Sequence, residues 1–195
     1  MGTIERDSLL TLEAYAKARN AFRAEVIAHK KKRTVHLGEH ITLLFEDELT
    51  IRYQVQEMLR IEKIFEEEGI QSELDAYNPL IPSGRNWKAT LLIEYEDAQE
   101  RARMLAQLKG VETRVWAQIE GGAKVFAIAD EDLDRENEEK TSSVHFLRFE
   151  LDPAMIRALK GGAALAMGVE HQALQVGTMK IGTASCAALA ADLAL

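Results

Sequence analysis

The stretch TIRYQVQEMLRIEKIFEEEGI, residues 50–70, constrains the fold of this chain more than any other feature. Its apolar side chains recur at helical spacing over a wide arc, which predicts one long helix over residues 49–68 that ends at Gly69. The polar face of this predicted helix is narrow and is formed by Arg52, Gln56, Arg60 and Lys63. A helix that is apolar over so wide an arc must be covered on two sides. We therefore expect it at the centre of the fold, between a sheet and other helices.

Three polar residues, Gln54, Glu57 and Glu62, fall inside the apolar arc of this predicted helix. An unpaired carboxylate in an apolar core is unfavourable, so each must be paired, protonated or bound to a metal. Glu57 and Glu62 are separated by about 140° around the helix axis and therefore point to different places. Glu62 and Glu66 are four residues apart and share a face. Glu62 then belongs to a structural ion pair or to a functional site, unless it reaches solvent along the helix edge.

His145 is the candidate partner for these carboxylates. In SSVHFLRFEL it shares a predicted strand face with Leu147 and Phe149, because side chains alternate along a strand. A histidine in that position is typical of a satisfied core residue. If Glu62 and Glu66 converge on it instead, the mixed oxygen and nitrogen ligands suit iron, manganese or zinc. The sequence thus predicts a candidate metal site, with a core histidine as the alternative.

The loop YNPLIPSGRNW, residues 77–87, is a second candidate site. Its two prolines make it stiff, and Gly84 permits a turn. Hydrogen-bond donors and a stacking ring are offered by Asn78, Arg85, Asn86 and Trp87. Such loops form the walls of ligand pockets, and they also serve as plain connections in which an aromatic ring fills the core. Both interpretations stay open from the sequence.

The remaining pattern predicts an α+β fold with N-terminal helices and one long central helix packed on a mainly antiparallel sheet. Two helices are expected before residue 33, the first capped by Asp7, with a break near Arg19 and Asn20. Tight hairpins are expected at Gly38 and at Gly121 with Gly122.

We divide the chain into a single domain over residues 1–183 and an alanine-rich C-terminal tail over residues 184–195. Within the domain, residues 1–80 are expected to be helical and residues 86–183 rich in strands.

Composition excludes several classes of protein. The chain has 24 Lys and Arg against 32 Asp and Glu, a net charge of -8, which argues against a general nucleic-acid binder. The basic run at residues 29–33 is interpreted as a solvated helix end, with an anion or RNA contact as the alternative.

Cys186 is the single cysteine, so no disulfide can form within one chain. We find neither a signal peptide nor a membrane-spanning stretch and expect a cytoplasmic protein.

Common catalytic signatures are absent from the sequence: there is no nucleophile elbow, Walker loop, dinucleotide-binding glycine motif, HExxH or CxxC. The acidic segment DEDLDRENEEK, residues 130–140, lacks the ligand order of a calcium-binding loop and is interpreted as a solvated turn. These observations leave open whether the protein is an enzyme.

Five stretches resemble the bacterial DUF3501 family, a domain of unknown function: VIAHKKKRTVHLG, LLFEDELTIRYQVQEMLRIEKIFEEEGIQSELDAYNPLIP, NWKATLLIEY, FAIADEDLDRE and KTSSVHFLRFEL. The similarity spans nearly the whole chain, and YQVQEMLRIE is its most specific part. After His171 this chain continues with QAL, where the family has proline and an aromatic residue. The resemblance implies a setting of iron or oxidative-stress metabolism, with rubrerythrin-like or iron–sulfur proteins as partners.

Three hypotheses follow. The first is an accessory protein of iron, redox or oxidative-stress homeostasis with a partly buried Glu and His cluster. The second is a small-molecule-binding enzyme or sensor with a pocket under the 77–87 loop. The third is a structural or protein-interaction module without a ligand. A homodimer is expected because the wide apolar helix and the alanine-rich tail need cover.

Overall fold

The computed structural model describes residues 2–129 and 140–194. Within these ranges the α-helices are α1 (Leu12–Lys30), α2 (Glu48–Ile61), α3 (Glu67–Tyr77), α4 (Ala98–Gln107), α5 (Pro153–Lys160) and α6 (Thr183–Ala191). The strands are β1 (Thr34–Leu37), β2 (Ile41–Phe45), β3 (Asn86–Ile93), β4 (Val115–Ile119), β5 (Lys124–Phe126), β6 (Val144–Glu150), β7 (Leu165–His171) and β8 (Leu174–Lys180). Short 3₁₀ turns lie at Arg6–Ser8, Asn78–Leu80 and Val111–Arg114. The predicted acidic turn at residues 130–139 lies outside the described residues.

The strands form two antiparallel sheets of four, in the orders β1-β2-β3-β6 and β5-β4-β7-β8. An isolated antiparallel bridge between Ile128 and Arg148 connects β6 to the segment that follows β5. The predicted hairpins are confirmed: β1 pairs with β2 around Gly38, and β4 pairs with β5 around Gly121. Both glycines have positive φ, +69° and +78°, a conformation that favours residues without a Cβ. The α+β class is therefore confirmed.

Two hydrophobic clusters form the core of the part of the chain that the structure describes. The larger cluster is built from inward-facing residues of both sheets, such as Leu43, Leu91 and Met167, and is closed by residues of α4, α5 and α6. The smaller cluster is helical and contains Ile4, residues of α2 and residues of α3, with Phe146 packed against it. The helices of the N-terminal part thus lie against the outer face of β6.

The single long helix predicted over residues 49–68 is wrong. Helix α2 ends at Ile61, and a separate helix, α3, begins at Glu67. Lys63 adopts a left-handed conformation with φ of +55°, and the N–H of Ile64 donates to the carbonyl of Leu59 at 2.9 Å. This is the Schellman pattern that terminates helices, with a lysine in the position usually taken by glycine.

Gly69, which we expected to end the helix, lies within α3. A Cβ at this position would be 2.7 Å from Cγ2 of Ile64, so the glycine permits a close approach between α3 and the turn before it.

The N-terminal prediction is also corrected. Residues 12–30 form one continuous helix, capped by Thr11, whose Oγ1 accepts from the N–H of Ala14 at 3.2 Å. Neither the cap at Asp7 nor a break near Arg19 is found. Gln56, assigned to the solvent face, is 2% exposed because its side chain bonds both backbone groups of Leu10.

The alanine-rich segment that we separated as a tail forms α6 and packs into the larger core through Leu189 and Leu193. No helix among the described residues combines the length and apolar character needed to cross a bilayer.

Candidate ligand-binding site

Glu57 is buried between α1 and α2, 9% exposed, as the helical pattern predicts. Tyr15 donates its hydroxyl to Oε1 at 2.7 Å, and Arg19 donates from Nε and Nη2 to the two oxygens at 2.7 and 2.9 Å. Arg60, one turn along α2, lies 3.2 Å from Oε2. Helix α2 can therefore carry a carboxylate on its buried side because α1 and α2 together provide its partners. Gln54, the other predicted buried polar residue on α2, is half-buried.

The bonds to Glu57 fix its protonation state. Hydrogen bonding by Arg19, assisted by Tyr15 and Arg60, lowers the pKa of Glu57 from an ordinary value of 4.5 to about 2. Burial and the bond to Glu57 raise the pKa of Tyr15. Around neutral pH the carboxylate is charged, the phenol is neutral, and two guanidinium groups surround the charge. A structural ion pair was considered for Glu62, but in the structure it is Glu57 that forms one, with Arg19 and Arg60.

The predicted metal cluster of Glu62, Glu66 and His145 is not formed. Because α2 ends at Ile61, Glu62 becomes its exposed C-cap and Glu66 becomes the exposed N-cap of α3. His145 is 2% exposed, and its Nε2 lies 3.0 Å from both Thr141 Oγ1 and the carbonyl oxygen of Ser142. The core-histidine alternative describes it correctly. Among residues 2–129 and 140–194, no group of three or more His, Cys, Asp or Glu side chains could hold a metal ion.

The four ligand-binding residues predicted in the 77–87 loop do not converge on a site. Asn78 bonds both backbone groups of Ile4, and Asn86 accepts from the N–H of Ser83 while donating to Glu150. Trp87 is fully buried, and its Nε1 donates to the carbonyl of Leu189 in α6 at 2.9 Å.

Arg85 is exposed. Three of the four residues therefore hold the loop to its neighbours, and the aromatic ring fills the core.

A cavity does lie beside this loop, against Ile81 and Pro82 rather than the residues that we selected. Its volume is about 350 Å³, within the range of roughly 300–1,000 Å³ typical of ligand pockets. The wall is completed by the start of α2, the C-terminal end of the chain and the N-terminal segment, and it comprises Gly2, Asp47, Glu48, Leu49, Ile81, Pro82 and Asp192. We call this space the loop cavity.

Arg33 holds the two aspartates of the loop cavity in place. It is 2% exposed and donates to the carbonyl oxygens of Phe45 and Glu46 at 2.9 and 3.0 Å. Its Nη1 donates to Asp192 Oδ1 at 3.1 Å and lies 3.3 Å from Asp47 Oδ2, and its Nη2 donates to Asp192 Oδ2. The guanidinium therefore makes four hydrogen bonds within the protein and an ion pair with Asp47.

Asp47 is positioned by its place at the start of α2. It is the N-cap residue, and its Oδ1 accepts from the N–H of Thr50 at 3.0 Å while the Thr50 hydroxyl contacts the Asp47 backbone in return. This reciprocal capping box fixes the side chain. Its Oδ2 lies 2.5 Å from Nε2 of His29, near the end of α1, and because an ionised carboxylate only accepts, His29 is the donor.

The charges of this network do not balance. Asp47 and Asp192 contribute two negative charges against the one permanent positive charge of Arg33, and His29 adds a second only when it is protonated. Burial raises the pKa of Asp192, against the opposing effect of Arg33, and the neighbouring charge of Asp47 acts in the same direction as burial. A cation entering the cavity would relieve this imbalance.

Sequence reasoning missed all four members of this network. The run at residues 29–33 was interpreted as a solvated helix end, yet Arg33 is buried and His29 is paired. Asp192 stands alone in an alanine and leucine segment, and that isolation was the available signal, since an unsupported carboxylate in an apolar helix requires a partner.

Comparison with known proteins places the chain in a group without an assigned activity. A family described as "Protein of unknown function (DUF3501)" matches residues 3–193. The chain is similar to the crystal structure of a novel protein of unknown function from Burkholderia pseudomallei, with 57% sequence identity and a TM-score of 0.94 over 99% of this chain and 100% of that chain. No curated protein matches it.

Proposed function

The chain belongs to the DUF3501 family, and we propose that it binds a small organic cation, an amine with an apolar body, in the loop cavity. The observation that carries the proposal is the pair Asp47 and Asp192 in the cavity wall, with a single buried Arg33 between them. This develops the small-molecule hypothesis for the 77–87 loop and replaces the residues first selected for it.

Unused hydrogen-bond acceptors point to a donor as the missing partner. A carboxylate accepts about four hydrogen bonds through its two oxygens. Among the described residues, the Asp192 carboxylate accepts two hydrogen bonds from Arg33, and the Asp47 carboxylate accepts from Thr50 and His29 and forms an ion pair with Arg33 at 3.3 Å. An ammonium group has three donors and carries the charge that the network lacks.

An anion does not fit the same space. The buried guanidinium of Arg33 is the permanent cation of this network, and it already bonds Phe45, Glu46 and Asp192 and pairs with Asp47. A carboxylate or phosphate entering the cavity would meet Asp47 and Asp192 and be repelled.

A divalent metal ion fits less well than an ammonium group. Calcium takes six to eight oxygen ligands and magnesium needs near-octahedral geometry, as general rules for these ions. Two carboxylates that already share a guanidinium supply few of these ligands. The apolar remainder of the wall, Leu49, Ile81 and Pro82, favours a ligand with a hydrocarbon body.

The pKa of Asp192 predicts how binding depends on pH. Burial raises this pKa, so part of the Asp192 population carries a proton as pH falls toward the acid range. A bound cation favours the ionised carboxylate, and binding therefore displaces that proton. We expect the affinity for an amine to rise with pH as Asp192 ionises.

The test uses butylamine, benzylamine and putrescine, each paired with the corresponding alcohol, and isothermal titration of the full chain. Wild type is expected to bind one or more amines and to bind the alcohols at least about tenfold more weakly, a difference of about 1.4 kcal/mol. Asp192→Asn should weaken amine binding by a similar factor, because it removes a charge while keeping the side-chain shape.

Asp97→Asn is the matched control. Asp97 caps the N-terminus of α4 through a bond of 2.7 Å from the N–H of Glu100, as Asp47 caps α2, but it lies outside the loop cavity. Equal binding of amines and alcohols, or loss of affinity in Asp97→Asn as large as in Asp192→Asn, would contradict the proposal.

The iron and oxidative-stress role, its iron–sulfur or rubrerythrin-like partners and the homodimer stay predictions. The cluster that was to carry the metal role does not form in the described residues, as Glu62 and Glu66 are exposed. The proposal of amine binding in the loop cavity does not depend on a role in iron or oxidative-stress metabolism.

A further inference from the structure

A second surface of the molecule exposes large apolar side chains at the turn between α2 and α3. Phe65 is 69% exposed, Ile61 is 55% exposed and Leu10 is 43% exposed. Phe65 and Leu10 border one groove of about 160 Å³, whose apolar wall is formed by Leu10, Leu12, Leu59, Ile64, Phe65 and Ile70. Single exposed apolar residues are ordinary on protein surfaces, whereas an apolar groove bordered by two large exposed side chains is typical of an interaction site. We call this surface the turn groove.

The segment that contributes Ile64 and Phe65 to the turn groove is acidic, and Arg6 is the charged residue in the groove wall. Residues 62–68 contain four glutamates and one lysine, a net charge of -3, and all five of these charged side chains are exposed. Arg6 pairs with Glu67 at 2.8 Å and so neutralises one of the glutamates. Glu62, Glu66 and Glu68 remain beside Lys63. An apolar groove beside an exposed acidic segment complements an apolar stripe with positive flanks.

We propose that the turn groove binds an amphipathic helix of a partner protein, with apolar anchors one turn apart and Lys or Arg on its flanks. This is the helix-in-groove mode, in which apolar side chains at positions i, i+3 or i+4, and i+7 enter a groove. The inference does not rest on the loop cavity, because the two spaces share no lining residue.

A second copy of this chain is a poorer occupant. Its basic run is engaged in its own fold: Arg33 is buried, His29 bonds Asp47, and the Lys30 ammonium lies 5.7 Å from the ring centroid of Tyr53. The exposed remainder offers Ile27 with Lys31 and Lys32. A two-fold dimer would have to place this surface of each copy on the turn groove of the other, and Ile27 alone supplies one apolar anchor where the groove offers several apolar contacts.

The experiment measures binding of a fluorescein-labelled 14-residue peptide of Leu and Lys in helical register to the full chain by anisotropy. An acidic twin, with Glu for every Lys, is the charge control. Wild type should bind the basic peptide at least tenfold more tightly than the acidic twin, and the affinity should fall as salt rises. Phe65→Ser and the double variant Glu62→Lys/Glu66→Lys should each reduce binding at least tenfold.

Ile27→Ser is the matched control, because Ile27 is 44% exposed and lies in α1 away from the groove. It should leave binding unchanged. Equal binding of the acidic twin, or full binding by Phe65→Ser, overturns the proposal. So does a wild-type dimer in sedimentation that Phe65→Ser converts to monomer, because the occupant is then a second copy.

Discussion

Helix α2 has a buried charge network at each end, and the two networks differ in balance and in access. Toward the C-terminal end, Glu57 meets Tyr15, Arg19 and Arg60, so one carboxylate faces two guanidinium groups. At the N-terminal end, Asp47 and Asp192 share Arg33 and border a cavity. Burial of a carboxylate is common to both ends. What separates a structural pair from a candidate site is a surplus of negative charge next to open space.

Removal of Arg33 should have the largest effect on stability. Arg33→Leu leaves Asp47 and Asp192 without their shared cation and two backbone carbonyls without a donor, at a cost of about 3–5 kcal/mol in the free energy of unfolding. Urea unfolding at pH 7 measures it.

The double variant Arg33→Leu/Asp192→Leu should recover part of this loss, since it also removes one stranded charge. A double variant no more stable than Arg33→Leu would contradict the account of a network held by one cation.

Acid should remove the contribution that the charged Glu57 carboxylate makes to the free energy of unfolding. Its folded pKa of about 2 lies below the ordinary 4.5, so the stability from the charged carboxylate is complete above pH 4.5 and is lost as pH falls toward 2. The side chain is 12% exposed, and the shift corresponds to about 3 kcal/mol. Urea unfolding of wild type and Glu57→Gln should therefore differ most at pH 6 and converge below pH 3. A difference that does not change with pH would show that the charge of Glu57 is not what stabilises the fold.

The pKa of Asp192 is raised in the folded protein, whereas that of Glu57 is lowered, so the two ends of α2 should respond to pH in opposite ways. A pKa raised by burial means that the folded protein favours the protonated acid. The associated stability is present below the ordinary pKa of 3.8 and is lost as pH rises through the higher folded value. Comparison of wild type with Asp192→Asn over the same pH series should show this opposite sign.

The sequence predicted local features where the signal depends on neighbouring residues. The hairpins at Gly38 and Gly121, the strand face of His145 and the burial of Glu57 follow from turn chemistry and periodicity, and the structure confirms them. The loop cavity could not be predicted in this way. Its two aspartates are 145 positions apart, and their convergence depends on α6 packing into the core, which no local pattern encodes.

The metal cluster predicted at Glu62, Glu66 and His145 does not form because the backbone at Lys63 ends the helix early, which the sequence does not signal. Continuous apolar periodicity placed Glu62 inside the helix arc, but α2 ends at Ile61, and Lys63 turns the chain away in a left-handed conformation. Lysine carries no signal for that conformation, whereas Gly69, which does, lies inside α3. The glycine at residue 69 is explained by packing rather than by backbone conformation.

Gly69→Ala tests that packing at the C-terminal end of α2. The new Cβ would lie 2.7 Å from Cγ2 of Ile64, a clash that costs about 1–3 kcal/mol and outweighs the helix propensity gained by alanine, about 1 kcal/mol. We expect a net loss of about 1 kcal/mol in thermal or urea unfolding. Gly69→Ala/Ile64→Ala should lose less than the sum of its single variants, because the clashing methyl is gone. Strict additivity would contradict the contact.

The smallest expected effect is a gain in stability at Lys63. A residue with a Cβ is strained at φ of +55°, and Lys63→Gly should raise the free energy of unfolding by about 0.5–1 kcal/mol after the entropy of the unfolded chain is counted. Lys63→Ala removes the same charge but keeps the strain, so it should bring no gain. Glu62→Gly, at a residue with φ of -81°, should destabilise the protein. If Lys63→Gly stabilises without changing amine affinity, the C-terminal end of α2 is structural and independent of the loop cavity. A change in amine affinity would instead show that the two ends of α2 are coupled.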